Sequence, residues 1–337
     1  MPYILSQPIH YIKRSPLLKL CVKIVLTLGA LALVFYEIDF IRVAELWSQQ
    51  DESLLIVAFV LFGMQVIVAA LRWRVIILKL AKAGDKVFST WESLKICYIG
   101  MFFNNCLPGG TVGGDAVRVW LAKSDALPLS LSIHSVIIDR IMALIALTLM
   151  VLCTLPLLGN MSGFDGMMMV PFVIVLILIG IWLMFNIRRL LSPFQHLPLV
   201  KPLLYFVSSL RELLTHPQGA FIVITYAFIN HVLYCLAVAY IAESLGIDLS
   251  VQDSLILVPP VVLAATLPIS VGGWGVRELA MIHMLGIIGI SQEEALIVSL
   301  EGGIISMLTG MPGGLFWLLH RKHANADSMK DEIANEL

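Results

Sequence analysis

Residues 107–118 read Leu107-Pro108-Gly109-Gly110-Thr111-Val112-Gly113-Gly114-Asp115-Ala116-Val117-Arg118, and residues 267–278 read Leu267-Pro268-Ile269-Ser270-Val271-Gly272-Gly273-Trp274-Gly275-Val276-Arg277-Glu278. Both stretches carry Leu-Pro, a short linker, Gly-Gly, and an Arg four residues after the second Gly; the linkers differ by one residue. Each interrupts an apolar segment, 91–124 in the first case and 251–290 in the second. Gly admits backbone conformations closed to other residues and Pro removes a helix donor, so both stretches predict breaks in otherwise helical segments.

The flanks repeat as well. Crossing about 30 Å of hydrocarbon takes about 20 mostly apolar residues. Full-length candidates lie at 17–36, 53–78, 129–155, 167–187, 218–243 and 295–319. The order span 53–78, broken segment, span 129–155 recurs as span 218–243, broken segment, span 295–319. Composition agrees: 59% of the 337 residues are hydrophobic and 13% charged, with a mean hydropathy of +0.93. Soluble domains carry about a quarter charged residues, so a water-soluble fold is excluded. A net charge of −1 leaves no electrostatic footprint for nucleic acid. The five Cys are scattered, with no CxxC, and fit neither a disulfide framework nor a metal site. No cofactor is implied, and no Walker motif is present.

Loop charges set the orientation. Lys13, Arg14, Lys19 and Lys23 precede or open the first span, which reads as an uncleaved anchor because Ala30-Leu31-Ala32 lies inside the apolar run. Arg72, Arg74, Lys79, Lys82 and Lys86 end the second, and Arg188, Arg189, Lys201 and Arg211 occupy the connection 188–217. Arg321, Lys322 and Lys330 follow the last span, whereas 156–166, 244–250 and 288–294 hold no Lys or Arg. This asymmetry places both termini in the cytoplasm of a multi-pass protein. Parity then makes 91–124 enter and leave from the inner side and 251–290 from the outer side. The arm 115–124 of the first is about 15 Å long, too short to cross, and Pro259-Pro260 breaks the first arm of the second, which has the longer arms. The expected fold is an all-α polytopic membrane protein with six full spans and two re-entrant hairpins in inverted repeats. An eight-span arrangement satisfies the same parity. Residues 1–320 form one domain with halves 53–155 and 218–319, an amphipathic cytoplasmic connection at 188–217, and a cytoplasmic tail at 321–337.

The chemistry is expected at the breaks. Helix N-termini following the Gly-Gly pairs offer free N–H groups and a positive dipole end to an anion. Candidate substrate-binding residues are Asn104, Gly113, Gly114, Asp115 and Arg118 in the first stretch and Gly272, Gly273, Arg277 and Glu278 in the second. Asp115 is also placed to cap its helix, and each Arg either binds a phosphate or carboxylate headgroup or holds its hairpin through a local carboxylate. Asp139, Arg140 and Glu301 sit within spans, where charges are costly, and are read as gating or cavity-lining. As sequence neighbours on a helix, Asp139 and Arg140 face different ways; Glu301, Glu278 and Asp115 are the acids open to Arg140.

At these residues the chain resembles the lysylphosphatidylglycerol synthase transmembrane region family, also called the flippase-like domain family. The resemblance is carried by Phe103-Asn104 through Arg118, Leu267 through Glu278, Arg72-Trp73 and Asp139-Arg140, and extends over about 16–320. It implies a translocator of a bacterial inner (plasma) membrane that moves a lipid with an anionic headgroup, or a lipid-linked glycan precursor, between leaflets. The family includes the membrane half of multiple peptide resistance factors and stand-alone members linked to hopanoid and lipid-linked sugar pathways. The soluble synthase domain has no counterpart in the short stretch after the last span, so a transporter is expected and an aminoacyltransferase is not. Two other functions stand beside it: an intramembrane transferase acting on a polyprenyl-phosphate lipid, and a non-transporting scaffold for a lipid-modifying enzyme or glycosyltransferase.

Overall fold

The computed structural model describes residues 38–48, 50–82, 87–106, 111–125, 127–162, 189–194, 200–266 and 273–336, with isolated positions between 25 and 29 and between 182 and 187. The expected spans 17–36 and 167–187 fall almost wholly outside these residues. The tips 107–110 and 267–272, Gly272 among them, also lie outside. The α-helices are α1 (Phe40–Ser48), α2 (Glu52–Leu80), α3 (Thr90–Cys106), α4 (Thr111–Asp125), α5 (Leu129–Ser162), α6 (Val200–Thr215), α7 (Pro217–Ser244), α8 (Val251–Ala265), α9 (Val276–Gly286) and α10 (Gln292–Glu336).

Among the described residues, four stretches are long and apolar enough to cross a bilayer: Glu52–Leu80, Leu129–Gly159, Pro217–Ser244 and Gln292–His320. They coincide with the expected spans at 53–78, 129–155, 218–243 and 295–319. Large apolar side chains on them, such as Ile56, Phe59, Phe221, Met311 and Leu315, point outward, a surface that hydrocarbon can cover and water cannot. The chain is a multi-pass membrane protein. Asp51 starts α2 by accepting from the Ser53 amide, and Ser89 with Glu92, then Ser291 with Glu294, cap α3 and α10 reciprocally.

The packing follows the sequence repeat. The leading spans α2 and α7 make the most extensive contact in the bundle. The Asp51 amide meets the Ser244 carbonyl, Asn230 donates to the Gln65 carbonyl, and Gly219 lies beside Lys79. Those pairings run in opposite senses along the two helices, so the halves start in opposite directions. In each half the first hairpin arm packs on its own leading span and on the trailing span of the other half, α3 on α2 and α10, α8 on α7 and α5. The second arms, α4 and α9, pack on the trailing spans of their own halves, α5 and α10.

Several local expectations are corrected. Helix α4 begins at Thr111, so Gly113, Gly114 and Asp115 lie within it instead of before it, and Asp115 is no N-cap. The arm is therefore about 22 Å long, not about 15 Å. The second hairpin has the shorter arms, with 15 residues in α8 and 11 in α9. Helix α8 continues through Pro259 and Pro260. A proline φ is helical in itself; what is lost is one backbone bond per ring, offset here by burial of Val258, Pro259 and Val261. The connection after 188 does contain an amphipathic helix, α6. Its Leu213 is fully buried against Ile76, Ile138, Met142 and Val223, while Leu203 and Tyr205 remain exposed. Helix α10 runs on through the expected tail to Glu336.

Candidate functional site

The first hairpin closes over a buried charge cluster. Asp139, 1% exposed on α5, accepts from Arg72 Nε at 2.7 Å and from both terminal nitrogens of Arg118 at 3.2 Å. Arg118 also lies 3.5 Å from Asp115 and stacks its guanidinium 4.6 Å from the Trp73 ring centroid. Trp73 is fixed in turn by its indole N–H, which donates to Ser135 Oγ at 3.1 Å. Arg140 forms a bidentate pair with Asp115, Nε to Oδ2 at 2.7 Å and Nη2 to Oδ1 at 2.8 Å. Among the described residues, three arginines meet two carboxylates here, which leaves one positive charge in surplus. The side chain of Arg140 is 40% exposed, whereas Arg72 and Arg118 are closed in. Arg118 Nε is buried with no hydrogen-bond partner among the described residues.

Small residues let the arms approach closely enough to build this cluster. A Cβ on Gly100 would lie 2.6 Å from Arg118 Cγ, and one on Gly114 would collide with the Gly100 carbonyl and the Asn104 side chain. Asn104 Oδ1 accepts from the Gly114 amide at 2.9 Å, so Asn104 ties the two arms together.

The second hairpin carries a neutral counterpart. Arg277 Nη2 donates to its neighbour Glu278 at 2.7 Å, and Arg277 Nε reaches Ser299 Oγ at 3.2 Å. The guanidinium lies 4.8 Å from the Trp274 ring centroid. Glu278, fully buried, also accepts from the Gly275 amide and so holds the turn in which Gly273 and Gly275 adopt φ of 82° and 83°. Only glycine takes that conformation at no steric cost. Glu301, 5% exposed on α10, has Gln50 as its side-chain donor, and Gln50 also reaches Ser244 Oγ at 3.3 Å.

Both hairpins converge on one part of α10. Asn105 donates to the Ser306 carbonyl at 3.1 Å, and Arg277 with Trp274 packs on Gly303. Ser306 lies midway between Gln292 and His320, and Gly303 is about 4.5 Å from it along the axis.

The structure brings together Asp115, Arg118, Asp139 and Arg140 from the sequence candidates, and of the acids open to Arg140 it selects Asp115. It keeps Arg277 and Glu278 in a second cluster that shares no partner with the first, and Glu301 in a third. Arg118 is engaged by Asp115 and Asp139, and Arg277 by Glu278. Sequence reasoning missed Arg72 as a member: it was counted with the basic residues at a span end, whereas it is 5% exposed within α2. The signal available was its place in the motif Arg72-Trp73, both of whose side chains contact the cluster. Gln50 and Ser299 carried no signal in the sequence.

A family model described as Lysylphosphatidylglycerol synthase TM region matches residues 20–314. No curated protein matches the chain.

Proposed function

The chain belongs to the lysylphosphatidylglycerol synthase transmembrane-region family, and from that premise we propose that it moves a phosphate-bearing lipid, or a lipid-linked glycan precursor, between the leaflets of a bacterial inner membrane. The carrying observation is the surplus positive charge of the first cluster, with Arg140 as its open member. A membrane-embedded cation without a matching acid is costly unless an anion visits it. Arg140 has a planar fork suited to a phosphate, which would take the place of Asp115 on its Nε and Nη2 donors, while Asp139, Arg72 and Arg118 hold the hairpin that positions Asp115 and Arg140. Asp115 and Glu278, the acids a transferase would need, are each held by an arginine, which favours transport over group transfer.

In this reading the hairpins are re-entrant and their tips meet near the midplane. Their arms, about 25 and 22 Å in the first and about 22 and 16 Å in the second, fall short of about 30 Å of hydrocarbon. Convergence on the middle of α10 supports the same arrangement, a plan that recurs in transporters built from inverted repeats. Arg74, Lys79 and Lys82 keep the inner assignment of the α2 end after Arg72 is discounted. In a cysteine-free background, Lys123→Cys is expected to label from the cytoplasmic face and Asp248→Cys from the opposite one. Labelling of both from one face overturns the topology.

The activity test is transbilayer movement of fluorescent phosphatidylglycerol in proteoliposomes. The protein is expected to accelerate movement above protein-free vesicles, and Arg140→Gln to slow it about tenfold. The thermal midpoint is expected to move little, because Asp115 keeps Arg118 at 3.5 Å as a partner and the cluster is left with two arginines against two carboxylates. An unchanged rate removes Arg140 from the mechanism.

A further inference from the structure

A cavity of about 370 Å³ opens between the start of α3, the end of α4 and the Phe316–His320 stretch of α10. Its walls are Ile96, Ile99, Leu121, Phe316 and Leu319; of its polar residues, Glu92 and Lys95 come from the first two turns of α3 and His320 from the point where the apolar run of α10 stops. The cavity is thus apolar inward and polar outward, at the level where the apolar run of α10 stops at His320. Exposed Trp91 packs edge-on against Phe316 at 5.8 Å between centroids, and exposed Trp120 lies 5.6 Å from Trp317. Indoles gather at the membrane–water boundary in this way.

The two charges at the rim are not equivalent. One oxygen of Glu92 is bound by the Ser89 amide at 2.7 Å, which commits that carboxylate to capping α3. Lys95, half-buried, has no carboxylate within ion-pair distance among the described residues. A cation beside an apolar slot, framed by aromatic residues at the boundary, fits a ligand with one phosphate and one hydrocarbon chain. The volume lies within the range of about 300–1,000 Å³ typical of small-molecule sites.

We propose that this cavity holds one membrane phospholipid, its phosphate on Lys95 and an acyl chain along Ile96, Ile99 and Phe316. The site is separate from the Arg140 cluster and does not rest on the transport reading, since a protein that moves nothing can still hold a lipid here.

Native mass spectrometry of the purified, delipidated protein tests it with three probes. Phosphatidylglycerol supplies phosphate and chains, diacylglycerol the chains alone, and glycerol 3-phosphate the phosphate alone. One phosphatidylglycerol is expected to remain bound, with about tenfold weaker retention of each of the other two. Lys95→Gln is expected to lower phosphatidylglycerol retention about tenfold, Leu319→Trp to abolish it by filling the slot, and Arg42→Gln, an exposed cation paired with Glu294 near the start of α10, to leave it unchanged. Equal retention of diacylglycerol reduces the cavity to an apolar slot and overturns the proposal. Equal binding of glycerol 3-phosphate overturns the lipid assignment, and so does unchanged retention in Lys95→Gln, which tests the site even where Leu319→Trp fails to fold.

Discussion

Asp139→Asn is expected to destabilise the protein by about 3–5 kcal/mol, the cost of breaking a buried ion pair by removing one partner. Asp139 is the carboxylate on which two closed-in guanidiniums converge, Arg72 from α2 and Arg118 from α4. Without it, both cations keep their desolvation cost, and Asp115 alone remains to balance three arginines. Arg72→Met acts in the opposite sense on the charge balance. It leaves two arginines with two carboxylates and retains the Arg118–Asp139 pair, so it costs less than Asp139→Asn. The double variant restores the original surplus of one charge and is expected between the two single variants, well short of their sum, because the residues share one network. Thermal unfolding in detergent gives the order. Equal losses for Asp139→Asn and Arg72→Met exclude charge imbalance as the cause.

That network also shows how far the sequence reaches. The four described spans were legible because a long apolar run has few alternatives in a membrane, and the division of 91–124 and 251–290 into two helices each because Gly and Pro interrupt such runs. Asp115 was among the acids open to Arg140, since acids within apolar segments are few. The similarity of 107–118 to 267–278 was misleading about partners. Arg118 and Arg277 occupy matching places, yet one meets Asp139 across a helix interface and the other meets its own neighbour Glu278. A local pattern fixes where a side chain starts along its helix; what it meets depends on the facing helix. For the same reason the sequence places Gly113 and Gly114 at a break ahead of a helix N-terminus, whereas they lie inside α4. Only the approach of α3, down to contact between Gly100 and Gly114, makes the second of them a helix-packing residue.

The glycines of α10 test that last point directly. Gly313→Ala places its Cβ on the Tyr98 carbonyl and 2.9 Å from the Ile99 amide, both backbone atoms that no rotamer change can move. Helix α3 must then separate from α10, and the loss is expected at about 1–3 kcal/mol or above, the range for overpacking a core. Gly302→Ala is the control on the same helix. Its Cβ would meet Ile241 Cδ1 at 3.9 Å, ordinary contact, and replacing helical Gly by Ala favours the helix by up to about 1 kcal/mol. Gly302→Ala is therefore expected to be neutral or stabilising. Separation at Gly313 also carries Asn105 away from the Ser306 carbonyl, the bond that seats the first hairpin at the middle of α10. Gly313→Ala should thus reduce lipid movement in proteoliposomes even where enough folded protein is recovered for assay. Equal midpoints for the two variants would show that α3 and α10 are not closely packed in the membrane, and the convergence of the hairpins on α10 would fail with it.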